Sequence, residues 1–311
     1  MERHSLEALE RRCQKPDHRR IGNWMARRIS RPAALRVTAV LAPWGVSANA
    51  VTLLAWGVAA AAAAALGWGT PLGWLLGALL LELWYLLDHV DGQLARLRAA
   101  ASLDGAQLDY LMHHTVDLLV PAGAGLGLFA ATAEPWWLVA GLVWGVALQL
   151  IMLQHDARYR SFLARLQQLR GRLEVHGRAC GGPQPQPPVP RRPLRLAAWI
   201  ARKLCETHVL MNLLLAAAVV QWLLGDDGLW TGRALVAILA PTAVAVALWT
   251  LVRSQRGGSC EREFAAWFRV PAGHELVYRD GRWNVEEGEN SEDASCKIGR
   301  QYEGPAMTRK E

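Results

Sequence analysis

The chain has 311 residues, 52% of them hydrophobic and 20% charged, with 15 tryptophans and a formal net charge of +7. Most Lys and Arg fall outside the apolar runs. A soluble core built from those runs is excluded, because too little polar chain remains to cover it, so an all-α polytopic membrane protein is expected.

Residues 1–45 form a basic, polar, cytoplasmic N-terminal region, with no secretory signal expected ahead of the first span. Within it Ile21, Trp24, Met25 and Ile29 fall on one helical face, with Arg20, Arg27, Arg28 and Arg31 around it. That pattern fits an interfacial amphipathic helix lying on anionic membrane lipids, or a solvated cap helix. Residues 46–253 hold six apolar segments of the length a bilayer requires: Val46 to Trp68, Pro71 to Leu87, Leu108 to Ala131, Pro135 to Leu153, Leu204 to Leu224 and Trp230 to Val252. The second is short and the third carries polar residues.

Orientation follows from the loops, since short loops rich in Lys and Arg stay in the cytoplasm. Ten such residues lie between Arg3 and Arg36, Arg96 and Arg98 follow the second segment, and eleven lie between Arg158 and Lys203. The loops near Gly69, Glu134 and Asp226 carry none. Both termini and the connection around Arg96 are therefore expected on the cytoplasmic side of the cell membrane. The 158–203 loop is basic and ends in a Pro-rich tract around Pro183 to Pro190, expected to be an extended linker. In the 254–311 cytoplasmic tail, Val277 to Trp283 with its Asp280-Gly281 pair predicts a hairpin, and the acidic stretch from Glu286 onward is expected to be disordered. The five cysteines contain no C-x-x-C pair and are expected to be reduced thiols.

Chemistry concentrates where the second and third segments meet. Asp88, Asp91 and Asp109 stand near membrane depth, where an unpaired carboxylate is costly and a cluster marks a functional site. Asp88 and Asp91 are i, i+3 neighbours, and Asp109 and His113 are i, i+4 neighbours, so on antiparallel helices each pair projects from one face. Such a group of hard oxygen ligands suits Mg²⁺ or Mn²⁺ beside a phosphate.

The run Asp88-x-x-Asp91-Gly92-x-x-Ala95-Arg96, eight residues, then Gly105-x-x-x-Asp109-x-x-x-His113 resembles the signature of the CDP-alcohol phosphotransferase (phosphatidyltransferase) family, D-x2-D-G-x2-A-R-x8-G-x3-D-x3-D. Seven of eight fixed positions match, with His113 in place of the last aspartate. Asn49-Ala50-Val51-Thr52 echoes a second family pattern, P-N-x-V-T, with Ala48 in place of proline.

The resemblance implies a metal-dependent enzyme that moves a substituted phosphate from a CDP-linked donor, CDP-diacylglycerol or a soluble CDP-alcohol, to an alcohol acceptor, releasing CMP in phospholipid biosynthesis. It implies one or two Mg²⁺ or Mn²⁺ ions on Asp88, Asp91, Asp109 and His113. Gly92, Ala95, Arg96, Gly105, Asn49 and Thr52 become binding residues for the nucleotide donor. His113 and Asp109 become catalytic, with His113 as base or ligand and Asp117, one turn on, as a group that could orient its ring. The alternative is a catalytically silent nucleotide- or lipid-binding protein of the same fold, with His113 marking a degenerate site. A transporter would account for buried carboxylates but not for the Gly and Arg spacing. No nucleic-acid partner is expected.

Further acceptor-pocket candidates are His155, Asp156, Arg158, Arg160, Lys203, Glu206 and His208, which as readily serve as interface anchors. Glu82 lies two turns inside the second segment. Gly73-x-x-x-Gly77 and Gly141-x-x-x-Gly145 permit close helix contact, either in a homodimer or within the chain.

Overall fold

A computed structural model describes residues 6–15, 18–176, 188–225, 228–279 and 281–287. The chain divides into two compact units, Met1–Met152 with Gln184–Leu248, and Leu153–Pro183 with Trp249–Glu311.

The first unit starts with a short helix α1 (Leu6–Cys13). A helical run from Trp24 then passes through a widened π turn, Ala26–Ser30, into α2 (Arg31–Leu41). Ile21 lies outside that helix, next to Gly22 at φ +91°. Of the expected apolar face, Trp24 and Ile29 are exposed, whereas Met25 is half-buried and packs against the core of this unit; Ala26, Ser30, Ala34, Leu35 and Thr38 are buried.

Six long apolar helices follow the expected segments: α3 (Ala48–Gly67), α4 (Pro71–Leu97), α5 (Leu103–Thr132), α6 (Trp136–Gln167), α8 (Thr207–Leu224) and α9 (Trp230–Arg256). An additional amphipathic helix, α7 (Pro193–Leu204), precedes α8. Each start has a local cause. Ser47, Thr70 and Ser102 are extended N-caps whose hydroxyls accept from Ala50, Gly73 and Gly105, and Pro71 occupies the first position of α4. Polar residues extend α4, α5 and α6 beyond their apolar runs, so the motif stands on two helices rather than on the connection between them. Only 98–102 link α4 to α5.

The core of this unit is tightly packed, with Trp74, Trp84, Leu66, Leu94, Met112 and Leu128 among its fully buried side chains. Helix α3 packs against both α4 and α5, and its alanines allow very close approach. A Cβ on Gly123 would lie 2.3 Å from the Ala63 carbonyl, and one on Gly127 2.0 Å from that of Leu66. Gly73 and Gly77 meet Ala65, Ala62 and Leu66, Gly141 meets Gly125 and Pro121, and Gly145 meets Leu118. The glycine pairs noted in the sequence thus find their partners within the chain and carry no argument for a second copy.

The second unit takes the C-terminal part of α6, the end of α9, α10 (Ser259–Trp267) and five short strands. Strands β4 (His274–Arg279) and β5 (Arg282–Glu287) form the expected hairpin, with Gly281 at φ +74° in its turn and Asp280 outside the described residues. β1 (Leu169–Arg170) adds to β5 in parallel, and β2 (Glu174–Val175) pairs with β3 (Phe268–Arg269). Glu286 and Glu287 therefore belong to a strand, which corrects the expectation of disorder from Glu286. The tail beyond 287 and the tract 177–187 lie outside the described residues, as do Cys180 and Cys296. Phe162 and Phe264 are buried among Tyr159, Trp267 and Phe268, and Arg165 is held by two bonds to Glu261 while lying over the rings of Phe264 and Trp283.

Candidate active site

Helices α4 and α5 bring Asp88, Asp109 and His113 to one point, with a ligand atom from each lying within 4.8 Å of the others. His113 Nε2 lies 2.9 Å from Asp88 Oδ1 and 3.5 Å from Asp109 Oδ1. The ring sits edge-on to Trp84 at 5.6 Å between centroids, which fixes its plane. Asp88 Oδ2 faces a second imidazole, His89 Nδ1, at 3.6 Å, and that ring also bonds the Tyr85 carbonyl at 2.9 Å. The i, i+4 spacing of Asp109 and His113 thus does what the sequence implied, and His89 is a neighbour that the motif spacing alone did not single out.

Asp91 is not in that group. It is buried, and its Oδ2 accepts from Thr52 Oγ1 at 2.7 Å, a hydroxyl that also lies 3.2 Å from the Ala48 carbonyl. Thr52 is therefore a support for a motif carboxylate. Asn49, exposed in the first turn of α3, places its Oδ1 where a Cβ on Gly105 would approach to 3.2 Å. Gly105 also gives its N–H to the Ser102 cap at 3.0 Å. The two sequence patterns hence meet through Asn49 with Gly105 and through Thr52 with Asp91, the latter pair 39 residues apart.

Gly92 lies under the Arg96 guanidinium, and the Ala95 carbonyl closes the end of α4 by accepting from Ala100 at 2.9 Å. Arg96 Nε donates to the Cys13 carbonyl, which ties the chain after α1 to the motif helix. Arg98 donates to the Ala42, Gly45 and Val46 carbonyls ahead of α3. The N-terminal region is fastened further by Thr38 Oγ1 donating to Gln93 Oε1 at 3.0 Å, Gln93 to the Arg31 carbonyl at 3.2 Å, and Asn23 to Tyr85 Oη at 2.9 Å.

Of the remaining candidates, Asp117 is buried and accepts from Thr207 of α8 at 3.4 Å, lining a small cavity with Trp84, Trp144 and Thr207. Lys203, Glu206 and His208 form one ion cluster at the α7–α8 junction, with Lys203 Nζ 2.7 Å from Glu206. His155, Asp156, Arg158 and Arg160 belong to the second unit, where Arg158 pairs with Glu263 at 2.8 Å. Glu82 keeps Oε1 buried with no hydrogen-bond partner among the described residues.

The family model for CDP-alcohol phosphatidyltransferases matches residues 45–168, the stretch that contains both patterns and every member of the Asp88, Asp109 and His113 group. These residues are a CDP-alcohol phosphatidyltransferase domain. Two solved structures of phosphatidylinositol phosphate synthase (PgsA1) from Mycobacterium tuberculosis are similar to the chain at 20% identity. One, with CDP-DAG bound, has a TM-score of 0.43 and covers 70% of this chain and 91% of that one. The other, in complex with manganese and citrate, has a TM-score of 0.44 and covers 70% and 89%. No curated protein matches the chain significantly.

Proposed function

We propose that the protein transfers a substituted phosphate group from a CDP-linked donor to an alcohol, releasing CMP, on the cytoplasmic side of the cell membrane as a step in phospholipid synthesis. The observation that carries this reading is the convergence of Asp88, Asp109 and His113 within the CDP-alcohol phosphatidyltransferase domain. The distribution of Lys and Arg among the loops supports the cytoplasmic side.

These residues fit a divalent cation. Asp109 Oδ1 is buried and has no hydrogen-bond partner among the described residues, while Asp88 Oδ1 is satisfied by an imidazole that is itself a metal ligand type. Two carboxylates favour Mg²⁺ or Mn²⁺, and the imidazole shifts the preference toward Mn²⁺ relative to an all-oxygen set. When bound, the cation supplies charge neutralisation to the pyrophosphate of the donor. Asp88, Asp109 and His113 would hold it, while Asp91, outside their group, is kept in place by the Thr52 hydroxyl.

The acceptor oxygen attacks the phosphorus that carries the alcohol group, the bond to the bridging oxygen breaks, and that oxygen leaves with its electron pair on CMP. The hydroxyl proton must pass to a nearby base. His113 presents Nε2 to both carboxylates, and one nitrogen cannot bind a cation and accept a proton together, so ligand and base are alternative roles for it.

The test is CMP release by the full chain in lipid vesicles, across CDP-diacylglycerol and soluble CDP-alcohols, with and without Mg²⁺ or Mn²⁺. Release that needs cation and acceptor is expected. His113→Asp is expected to stay active with a changed preference between Mg²⁺ and Mn²⁺, and His113→Ala to lose turnover. A chain that binds donors and never releases CMP would establish the silent alternative.

A further inference from the structure

Helix α7 (Pro193–Leu204) buries none of its 12 residues, although it belongs to the same compact unit as α3, α4 and α5. Its ends have local causes. Arg192 is extended, Pro193 takes the first position, and the Cys205 N–H closes the last turn on the Arg202 and Lys203 carbonyls. Glu206 is extended again, at φ −78° and ψ 128°, so the chain leaves the axis of α7 before α8 begins at Thr207. Lys203 Nζ, 2.7 Å from Glu206 Oε1, and His208 Nε2, 3.5 Å from Oε2, tie that corner from either side.

At about 100° per residue the helix has two faces. Leu196, Ile200 and Leu204 follow one another at i, i+4 on one side, with Ala197 and Ala201 beside them. Arg195 and Arg202 share the other side, with Ala198 between them. Leu204 rests on the core of the unit, but Ile200 is 45% exposed and Ala197 is exposed, so the apolar stripe runs off the protein. Both arginines are exposed as well. No acid occurs between Glu174 and Glu206, against Arg191, Arg192, Arg195, Arg202 and Lys203 on or next to the helix, and Glu206 is taken at the corner. Trp199 stands at the border of the two faces, with the Lys203 ammonium 5.7 Å from its ring. An indole and a long cationic side chain each combine an apolar body with a polar tip, which suits a boundary between hydrocarbon and water.

The chain itself decides what the open stripe meets. Leu204 stands three residues ahead of Thr207, at most about 11 Å of backbone. Helix α8 is one of six long and apolar enough to cross a membrane, so the last turn of α7 is held close to where that span would enter the bilayer. An apolar stripe alone would fit a partner protein equally well. The unneutralised arginines beside it select a negative surface, and lipid phosphate is the one that α8 brings within reach. We propose that α7 lies flat in the headgroup layer of an anionic leaflet, with Leu196 and Ile200 at the acyl boundary and Arg195 and Arg202 on lipid phosphates. The inference rests on the apolar helices and is independent of the transferase reading. Helix α7 also lies outside residues 45–168, so the contact is an addition to the matched domain.

The test places a nitroxide label at Ile200→Cys or at Ala198→Cys in the full chain with its five native cysteines replaced, in phosphatidylcholine vesicles with and without phosphatidylglycerol. Collisions with oxygen, which concentrates in hydrocarbon, are compared with collisions with a neutral nickel chelate, which stays in water. With phosphatidylglycerol present, the label at position 200 is expected to favour oxygen and the label at position 198 nickel. Arg195→Gln and Arg202→Gln should each lower the ratio of seated to unseated helix by about fivefold, the scale of one cation at an anionic surface. Equal collision patterns at the two positions would overturn the proposal. So would a label at position 200 shielded from both reagents, which would mark a face covered by protein. A pattern indifferent to phosphatidylglycerol and to both arginine changes would overturn the anionic leaflet as the partner. The unlabelled, unmutated chain gives a second reading. Trypsin cleavage after Arg195 and Arg202, relative to cleavage after Arg172, should slow when phosphatidylglycerol is added, and an unchanged ratio would overturn the seated helix.

Discussion

Helices α4 and α5 are held in two different ways along their length. Toward Gly73 and Gly127 they meet α3 backbone to backbone, through glycines with no room for a methyl group and without a charged side chain. Toward Asp88 and Asp109 they are joined by hydrogen bonds among polar side chains and to carbonyls of the N-terminal region. Close packing of small residues leaves little freedom to slide, since dispersion falls off steeply with separation. A polar cluster tolerates more movement, so its geometry depends on the packed end being fixed. The lesson is that the chemistry is set by a register established elsewhere on the same helices.

The most drastic way to break this arrangement is Gly127→Leu. With the Leu66 carbonyl 2.0 Å from the added Cβ, no rotamer relieves the contact, and a loss above ~3 kcal/mol is expected. Thermal unfolding and size-exclusion profiles check it, and a mutant as stable as wild type would show that α3 and α5 are not so close. Next comes Asp88→Ala or Asp109→Ala, expected to cost at least ~100-fold in CMP release while leaving the melting temperature nearly unchanged. Thr52→Val should act more gently. It removes one hydrogen bond from the buried Asp91 and is expected to slow turnover by about tenfold, with unchanged expression. The smallest effect belongs to deletion of Gly288 to Glu311, which leaves β5 whole and is expected to change turnover by less than twofold, about the noise of a rate comparison between surface variants.

Much of this was legible in the sequence because apolar runs of bilayer length and a spaced set of carboxylates are local signals. The six long helices stand where Val46 to Val252 was divided, and Asp109 meets His113 as the four-residue spacing requires. Helix ends were less legible. Hydropathy marks where side chains stop being apolar, not where the backbone stops being helical, so the polar final turns of α4, from Asp88 to Leu97, read as a connection. The caps Thr70 and Ser102, followed by Pro71 and Gly105, were the available signal. Long-range partners were not legible at all. Nothing in the spacing of Arg96, Cys13 and Arg31 announces that arginines of two helices would fasten the first loop, or that Thr52 would serve Asp91 rather than a nucleotide. The parallel addition of β1 to β5 was likewise invisible, because two-residue strands carry no periodicity.

The length of α4 and α5 bears on how a donor with acyl chains would travel. About 26 Å of helix separates Pro71 from Asp88, and about 29 Å separates Thr132 from His113, against a hydrocarbon thickness of ~30 Å. With Pro71 and Thr132 placed at one face of a bilayer, Asp88 and His113 would come to the level where lipid tails end and headgroups begin. Lifting a lipid out of the bilayer costs about 0.8 kcal/mol for each methylene exposed, so a site even four methylenes higher would add ~3 kcal/mol to every encounter. At that level a tailed molecule would reach Asp88 by sideways diffusion, and a water-borne partner would arrive from the other direction without entering the hydrocarbon.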